Sequence, residues 1–138
     1  MIVFLDTSAI MAVLNVDDQN HALALPSWQA TLSQGDEIVC SNYILIETFA
    51  LLQSRFGLEA VRLFQSDVLP VLTIFWVNET LHNQSMSALM AANRRKLSLV
   101  DCTSFEIIRQ SGIPQVFCFD AHFQEQGFEI IPAEHSKS

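Results

Sequence analysis

Short apolar runs alternate with longer helix-period segments along the whole chain, and that alternation constrains the fold more than any other feature. IVFLD at 2–6, EIVC at 37–40, VLTIFWV at 71–77 and QVFCF at 115–119 read as strands, and EIIP at 129–132 as a short fifth. Between them the apolar spacing is helical. Asp6-Thr7-Ser8 caps a segment running to about Asn15, and a second reaches Gln34, with Pro26 expected to start a new turn or kink it. Ser41 or Asn42 caps YILIETFALLQSRF, which Gly57 ends; LEAVRLFQSDVL follows as one helix closed by Pro70. Helical spacing resumes over 78–93 and again up to Gly112, with Pro114 just beyond. Strands joined by helices require right-handed crossovers, so the expectation is an α/β fold. Its mainly parallel central sheet of four to five strands is flanked by helices on both faces. No repeat or linker divides the chain, so one domain is expected over 1–133, with 134–138 a frayed tail.

Composition removes several classes of function. Half of the 138 residues are hydrophobic and 16% are charged, which suits a packed core rather than a disordered chain. No apolar run reaches membrane-spanning length, and MIVFLD carries no basic stretch of the kind that opens a secretory leader. Cys40, Cys102 and Cys118 are odd in number and lie in or beside apolar segments, which reads as reduced thiols in a cytoplasmic protein. A net charge of −8 argues against broad basic clamping of phosphates; it suits a cation site, a basic protein partner, or simple solubility.

Open parallel sheets place their sites beyond the carboxyl ends of the strands. Asp6 and Asp120 end strands there, and Asp101 opens a helix in the capping pattern Ser98-x-x-Asp101. Each could be a helix cap and nothing more. Glu47 differs, because helical spacing puts it on the face of Ile44 and Leu51, where a carboxylate needs compensation. Either Arg55, two turns on, pairs with it, or a cation does. Four carboxylates with little nitrogen or sulfur nearby favour Mg²⁺ or Mn²⁺ over zinc. Such an ion would neutralise phosphate charge, activate water and stabilise a leaving oxygen, so phosphoryl chemistry is the expected use.

DTSAI at 6–10, SNYILIETFALL at 41–52, LSLVDCTSF at 97–105 and FCFDAHF at 117–123 together resemble PIN-domain proteins, and within them VapC-type ribonuclease toxins of toxin–antitoxin pairs. The resemblance implies a PIN-like three-layer sandwich and a Mg²⁺- or Mn²⁺-dependent endoribonuclease that hydrolyses RNA with a metal-activated water. It implies Asp6, Glu47, Asp101 and Asp120 as the acidic quartet, with Asp6 and Asp101 the principal ligands, Asp120 completing the cluster and Glu47 orienting metal or water. Ser8 and Thr103 match hydroxyls that support the carboxylates. The resemblance further implies a homodimer and a small antitoxin whose tail crosses the acidic groove. One departure stands out: relatives commonly carry Thr two residues before the last Asp, where this chain has Cys118. A thiol is the weaker hydrogen-bond partner.

Arg94-Arg95-Lys96 is the only basic cluster, readable as a helix end favoured by the dipole or as a contact for RNA phosphates. His122 is expected to pack at the surface after a strand end, and His21, His82 and His135 show no clustered partners. Trp28, Trp76 and Tyr43 are expected in core or subunit packing. A haloacid-dehalogenase-type phosphatase would need a second Asp after the first strand, where Ser8 stands; a receiver domain would need an early acidic pair. Scattered glycines make no dinucleotide fingerprint. The competing reading is a PIN-like protein- or RNA-binding module without catalysis.

Overall fold

The computed structural model describes residues 1–133; the expected tail at 134–138 lies outside the described residues. Five strands, β1 (Ile2–Leu5), β2 (Glu37–Ser41), β3 (Leu72–Phe75), β4 (Gln115–Phe117) and β5 (Glu129–Ile131), form one sheet in the order β3-β2-β1-β4-β5. Every neighbouring pair is parallel, so the sheet is wholly rather than mainly parallel. Val3, Phe4 and Leu5 are sealed at its centre with Ile38, Val116 and Phe117. That is why these runs lack the alternation of a half-solvated sheet. The edge strand β3 does alternate, with Thr73 and Phe75 exposed.

The helices are α1 (Thr7–Leu14), α2 (His21–Ser33), α3 (Asn42–Phe56), α4 (Leu58–Leu63), α5 (Glu79–Ala92), α6 (Leu99–Ser111) and α7 (Ala121–Glu125). The chain steps outward from β1 to β3, then returns across the sheet to place β4 on the far side of β1. With right-handed crossovers, this reversal puts α1–α4 on one face and α5–α7 on the other. Contacts of α1 with α2 and α3, and of α5 with α6, agree with those two layers. The reversal also splays the chain apart beyond the carboxyl ends of β1 and β4, where open α/β sheets form a crevice.

Three local expectations are corrected. Pro26 starts no new helix; α2 runs through it, since only about one turn precedes it and a single carbonyl loses its partner. The segment 58–69 is not one α-helix. It is α4, a wider π turn at Phe64–Val68 and a 3₁₀ turn at Leu69–Val71. Pro70 cannot donate to the carbonyl four residues back, and Leu69 N–H reaches instead to Phe64, whose ring is buried. The short helix α7 has too few residues for periodicity to reveal and was not expected.

Candidate active site

Three aspartates reach the crevice by one local device. Asp6, immediately after β1, caps α1: its Oδ2 accepts Ser8 N–H at 3.1 Å and the Ser8 hydroxyl at 2.6 Å. Asp101 closes a capping box at the start of α6, where Ser98 N–H donates to its Oδ2 at 3.1 Å and its own N–H donates to Ser98 Oγ at 3.0 Å. Asp120 caps α7, with Oδ1 accepting His122 N–H at 2.9 Å. Each carboxylate commits one oxygen to its cap. The other oxygen, Oδ1 of Asp6 and Asp101 and Oδ2 of Asp120, takes no hydrogen bond among the described residues. Capping and chemistry are therefore compatible uses of the same side chain.

Glu47 reaches the cavity from α3, which packs against α1. Along α3, Glu47, Leu51 and Arg55 fall one turn apart and line one cavity of about 420 Å³ together with Asp6, Asp101 and Asp120. Glu47 is half-buried and has no ion pair or hydrogen bond among the described residues. The expected alternative, a Glu47–Arg55 pair, is absent there. The four expected carboxylates thus meet in one place.

Two of them, Asp6 and Asp101, are shifted by their surroundings. Burial pushes the Asp6 carboxyl up to about 7; the Ser8 bonds oppose this, and the charges of Asp101 and Asp120 add to it. Burial raises Asp101 as well, against the Ser98 N–H bond and with the help of Asp120. Carboxylates held near one another in a partly dry crevice bind protons or a cation. The uncommitted aspartate oxygens and the Glu47 carboxylate that line the cavity are donors of the kind a hard divalent ion takes, but among the described residues Asp6 and Glu47 belong to no group of three ligands at metal spacing.

A side-chain atom of Asp101, one of Asp120 and one of His122 lie within 4.8 Å of one another. Both His122 nitrogens are engaged, Nδ1 with Glu125 at 3.0 Å and Nε2 with the Lys96 carbonyl at 3.2 Å. His122 therefore ties α7 to the loop before α6, beyond the surface packing expected of it. Two other histidines also have partners: His82 meets the Tyr43 hydroxyl at 2.5 Å and His21 meets the Ala12 carbonyl at 2.8 Å, while His135 lies outside the described residues.

The two expected supporting hydroxyls behave differently. Ser8 Oγ donates to Asp6 and accepts Phe119 N–H at 2.9 Å, joining the ends of β1 and β4. Thr103 is a correction. Its hydroxyl, fully buried inside α6, donates to the Leu99 carbonyl at 2.8 Å rather than to a carboxylate, the usual resort of a threonine within a helix. Cys118 is sealed, its Sγ 3.9 Å from the Asp120 carbonyl oxygen, and burial raises its thiol further from ionisation. Of the basic cluster, only Lys96 lines the cavity; Arg94 pairs with Glu125 at 3.4 Å, and Arg95 lies outside the cavity wall. Trp28 is half-buried against the core, whereas Trp76 is 70% exposed and belongs to no core. Asp18, Asn20 and Arg55 also line the cavity, and sequence reasoning missed all three as site residues. Arg55 had a readable signal in its two-turn spacing from Glu47; the polar turn of Asp18 and Asn20 had none.

A family profile for the PIN domain matches residues 3–129. The 23S rRNA-specific endonuclease VapC20 of Mycobacterium tuberculosis, from strains CDC 1551/Oshkosh and H37Rv, is 33% identical over 132 residues, covering 94% of this chain and 98% of the relative. The crystal structure of M. tuberculosis VapC20, described as a sarcin–ricin-loop-cleaving toxin, superposes with a TM-score of 0.80 at 31% identity, over 91% of this chain and 95% of that one. FitAcB from Neisseria gonorrhoeae shares the fold at a TM-score of 0.69 and 13% identity, covering 93% of this chain and 95% of that one.

Proposed function

The chain belongs to the PIN-domain family, and from that membership we infer that it is a Mg²⁺- or Mn²⁺-dependent endoribonuclease, the toxin of a toxin–antitoxin pair. The observation that carries the reading is the convergence of Asp6, Glu47, Asp101 and Asp120 on one cavity, each with carboxylate oxygen uncommitted to the fold. The relationship to VapC20 supports RNA as substrate and a structured ribosomal RNA loop as the first target to try.

Asp6, Asp101 and Asp120 would hold the cation, with Glu47 lining the same cavity. A divalent ion bound there supplies charge neutralisation at the phosphate and a more acidic water. The protein's own part is positional. Three caps hold the aspartates, Ser8 locks the first of them to the strand that leads to the last, and the half-buried Glu47 would orient the attacking water or accept its proton. An antitoxin with a basic tail would suit the acidic cavity, and a homodimer would cover apolar surface such as Trp76. Among the described residues no helix is long and apolar enough to cross a membrane. A ribosomal RNA substrate and three buried free thiols favour the cytoplasm.

The test is cleavage of ribosomal RNA and of a mixed RNA pool in Mn²⁺, Mg²⁺ or EDTA, with Asp6→Asn beside the native protein. Metal-dependent cutting that disappears in the variant supports the reading. Absence of cutting by folded, metal-bound protein would favour a binding module instead.

A further inference from the structure

We propose that Arg55 and Lys96 form a two-sided phosphate clamp that holds the RNA strand on either side of the cleaved linkage; this rests on the nuclease reading. The argument starts from which cations the fold leaves unengaged. Arg62 pairs with Glu59, Arg94 with Glu125, and Arg109 bonds Gln126 and lies over the Phe128 ring. Among the described residues, Arg55, Arg95 and Lys96 have no ion pair or side-chain hydrogen bond. Two of those three line the carboxylate cavity.

A protein of net charge −8 has carboxylates to spare for pairing, yet these two cations stand beside the densest group of them unpaired. Their placement suits an anion that enters the cavity from outside. They also stand on different elements. Arg55 is in the last turn of α3, and Lys96 is in the turn between α5 and α6, just before Ser98 and Asp101.

Eight residues along a helix span about 12 Å. Helical side chains lean toward the N-terminus, so Arg55 leans back toward Glu47 without pairing with it. From there it would meet a phosphate neighbouring the one before the carboxylates, and Lys96, on a separate element of the same cavity, would serve the other neighbour. Contacts of this kind position the strand and carry no base sequence. Arg94 and Arg95, expected alongside Lys96, fall outside the clamp.

Arg55 at a helix C-terminus also has a purely structural reading through the helix dipole. Salt dependence separates the two. Binding of a single-stranded mixed-sequence RNA would be measured in EDTA against salt concentration, with Asp6→Asn as the uncut background. Arg55→Ala and Lys96→Ala should each flatten the slope of log K against log salt by about 0.7, and Arg55→Lys should restore it. Arg95→Ala and Arg62→Ala should leave it unchanged. Substituting a single phosphate by a neutral methylphosphonate in a cleavable RNA should weaken the native enzyme at one linkage on each side of the cut, and Arg55→Ala should be insensitive at one of them. If native protein cuts RNA while Arg55→Ala keeps its slope and changes only in Tm, the clamp is overturned and the nuclease stands. If native protein neither binds nor cuts RNA, both fall.

Discussion

Ser8 Oγ lies 2.6 Å from Asp6 Oδ2 and 2.9 Å from Phe119 N, so one hydroxyl holds the carboxylate after β1 against the strand end that delivers Asp120. Removing it as Ser8→Ala should cost about 1–2 kcal/mol of stability. It should also weaken metal affinity about 10-fold or more, as loss of a ligand's supporting bond does. Ser8→Thr should retain most of both. Calorimetric metal titration beside chemical denaturation checks the pair, and an unchanged affinity in Ser8→Ala would remove Ser8 from the site.

The raised Asp6 carboxyl makes metal-free stability depend on pH in a defined direction. Its folded value is about 7 against an ordinary 3.8, so between these the folded protein keeps a proton that the unfolded chain has lost. The stabilisation is complete below about pH 4 and is lost as pH rises toward 7; Asp101, also raised, acts in the same sense. Denaturation midpoints in EDTA should therefore fall from pH 5 to pH 7.5. Asp6→Asn, which has no charge to acquire, should flatten that fall.

Saturating Mg²⁺ or Mn²⁺ should raise the Tm above that in EDTA, because the cation binds only where the carboxylates are assembled. At a hundred times its Kd, a ligand of the folded state adds about 2.7 kcal/mol. The gain should grow with pH through the Asp6 range, since the ion displaces protons there. Equal melting temperatures in metal and chelator would argue against the cation site.

Glu47 should show opposite signs in stability and activity. Half-buried and unpaired, it carries a charge the fold does not use, so Glu47→Gln should leave metal-free stability unchanged or raise it by about 0.5–1 kcal/mol. The same change should lower kcat by 10²-fold or more if Glu47 handles the water proton. A stable variant with full activity would make Glu47 a bystander.

The thiols should be inert in the native state. Cys40, Cys102 and Cys118 are buried, Cys40 is pushed up to about 12 by desolvation, and burial raises the other two. Thiol titration with an aromatic disulfide should find no rapidly reacting group in native protein and all three in denaturant. Rapid modification of Cys118 would contradict its sealed position beneath Asp120.

Local chemistry was enough to read the strands and the caps. Apolar runs with no alternation announced buried parallel strands, and Asp6, Asp101 and Asp120 stand where capping statistics place short polar side chains. Glu47 was legible because helical period alone sets it among core residues. The Thr103 hydroxyl was misread because its nearest acceptor, the Leu99 carbonyl, is a product of the helix rather than of the side-chain sequence. The turn at Phe64–Val68 was misread because periodicity does not separate α from π spacing over so few residues.

What the sequence by itself determined about this protein is therefore the type of most elements and the chemistry of each donor, since both follow from neighbours a few residues apart. Only the tertiary structure decided that strand order reverses at β1 and β4, bringing residues 6, 47, 101 and 120 to one crevice. It alone decided that Arg55 and Lys96 stay unpaired there while Arg94 is taken by Glu125. Such facts depend on contacts across dozens of residues, where the packing of whole layers, and no local preference, sets the distance.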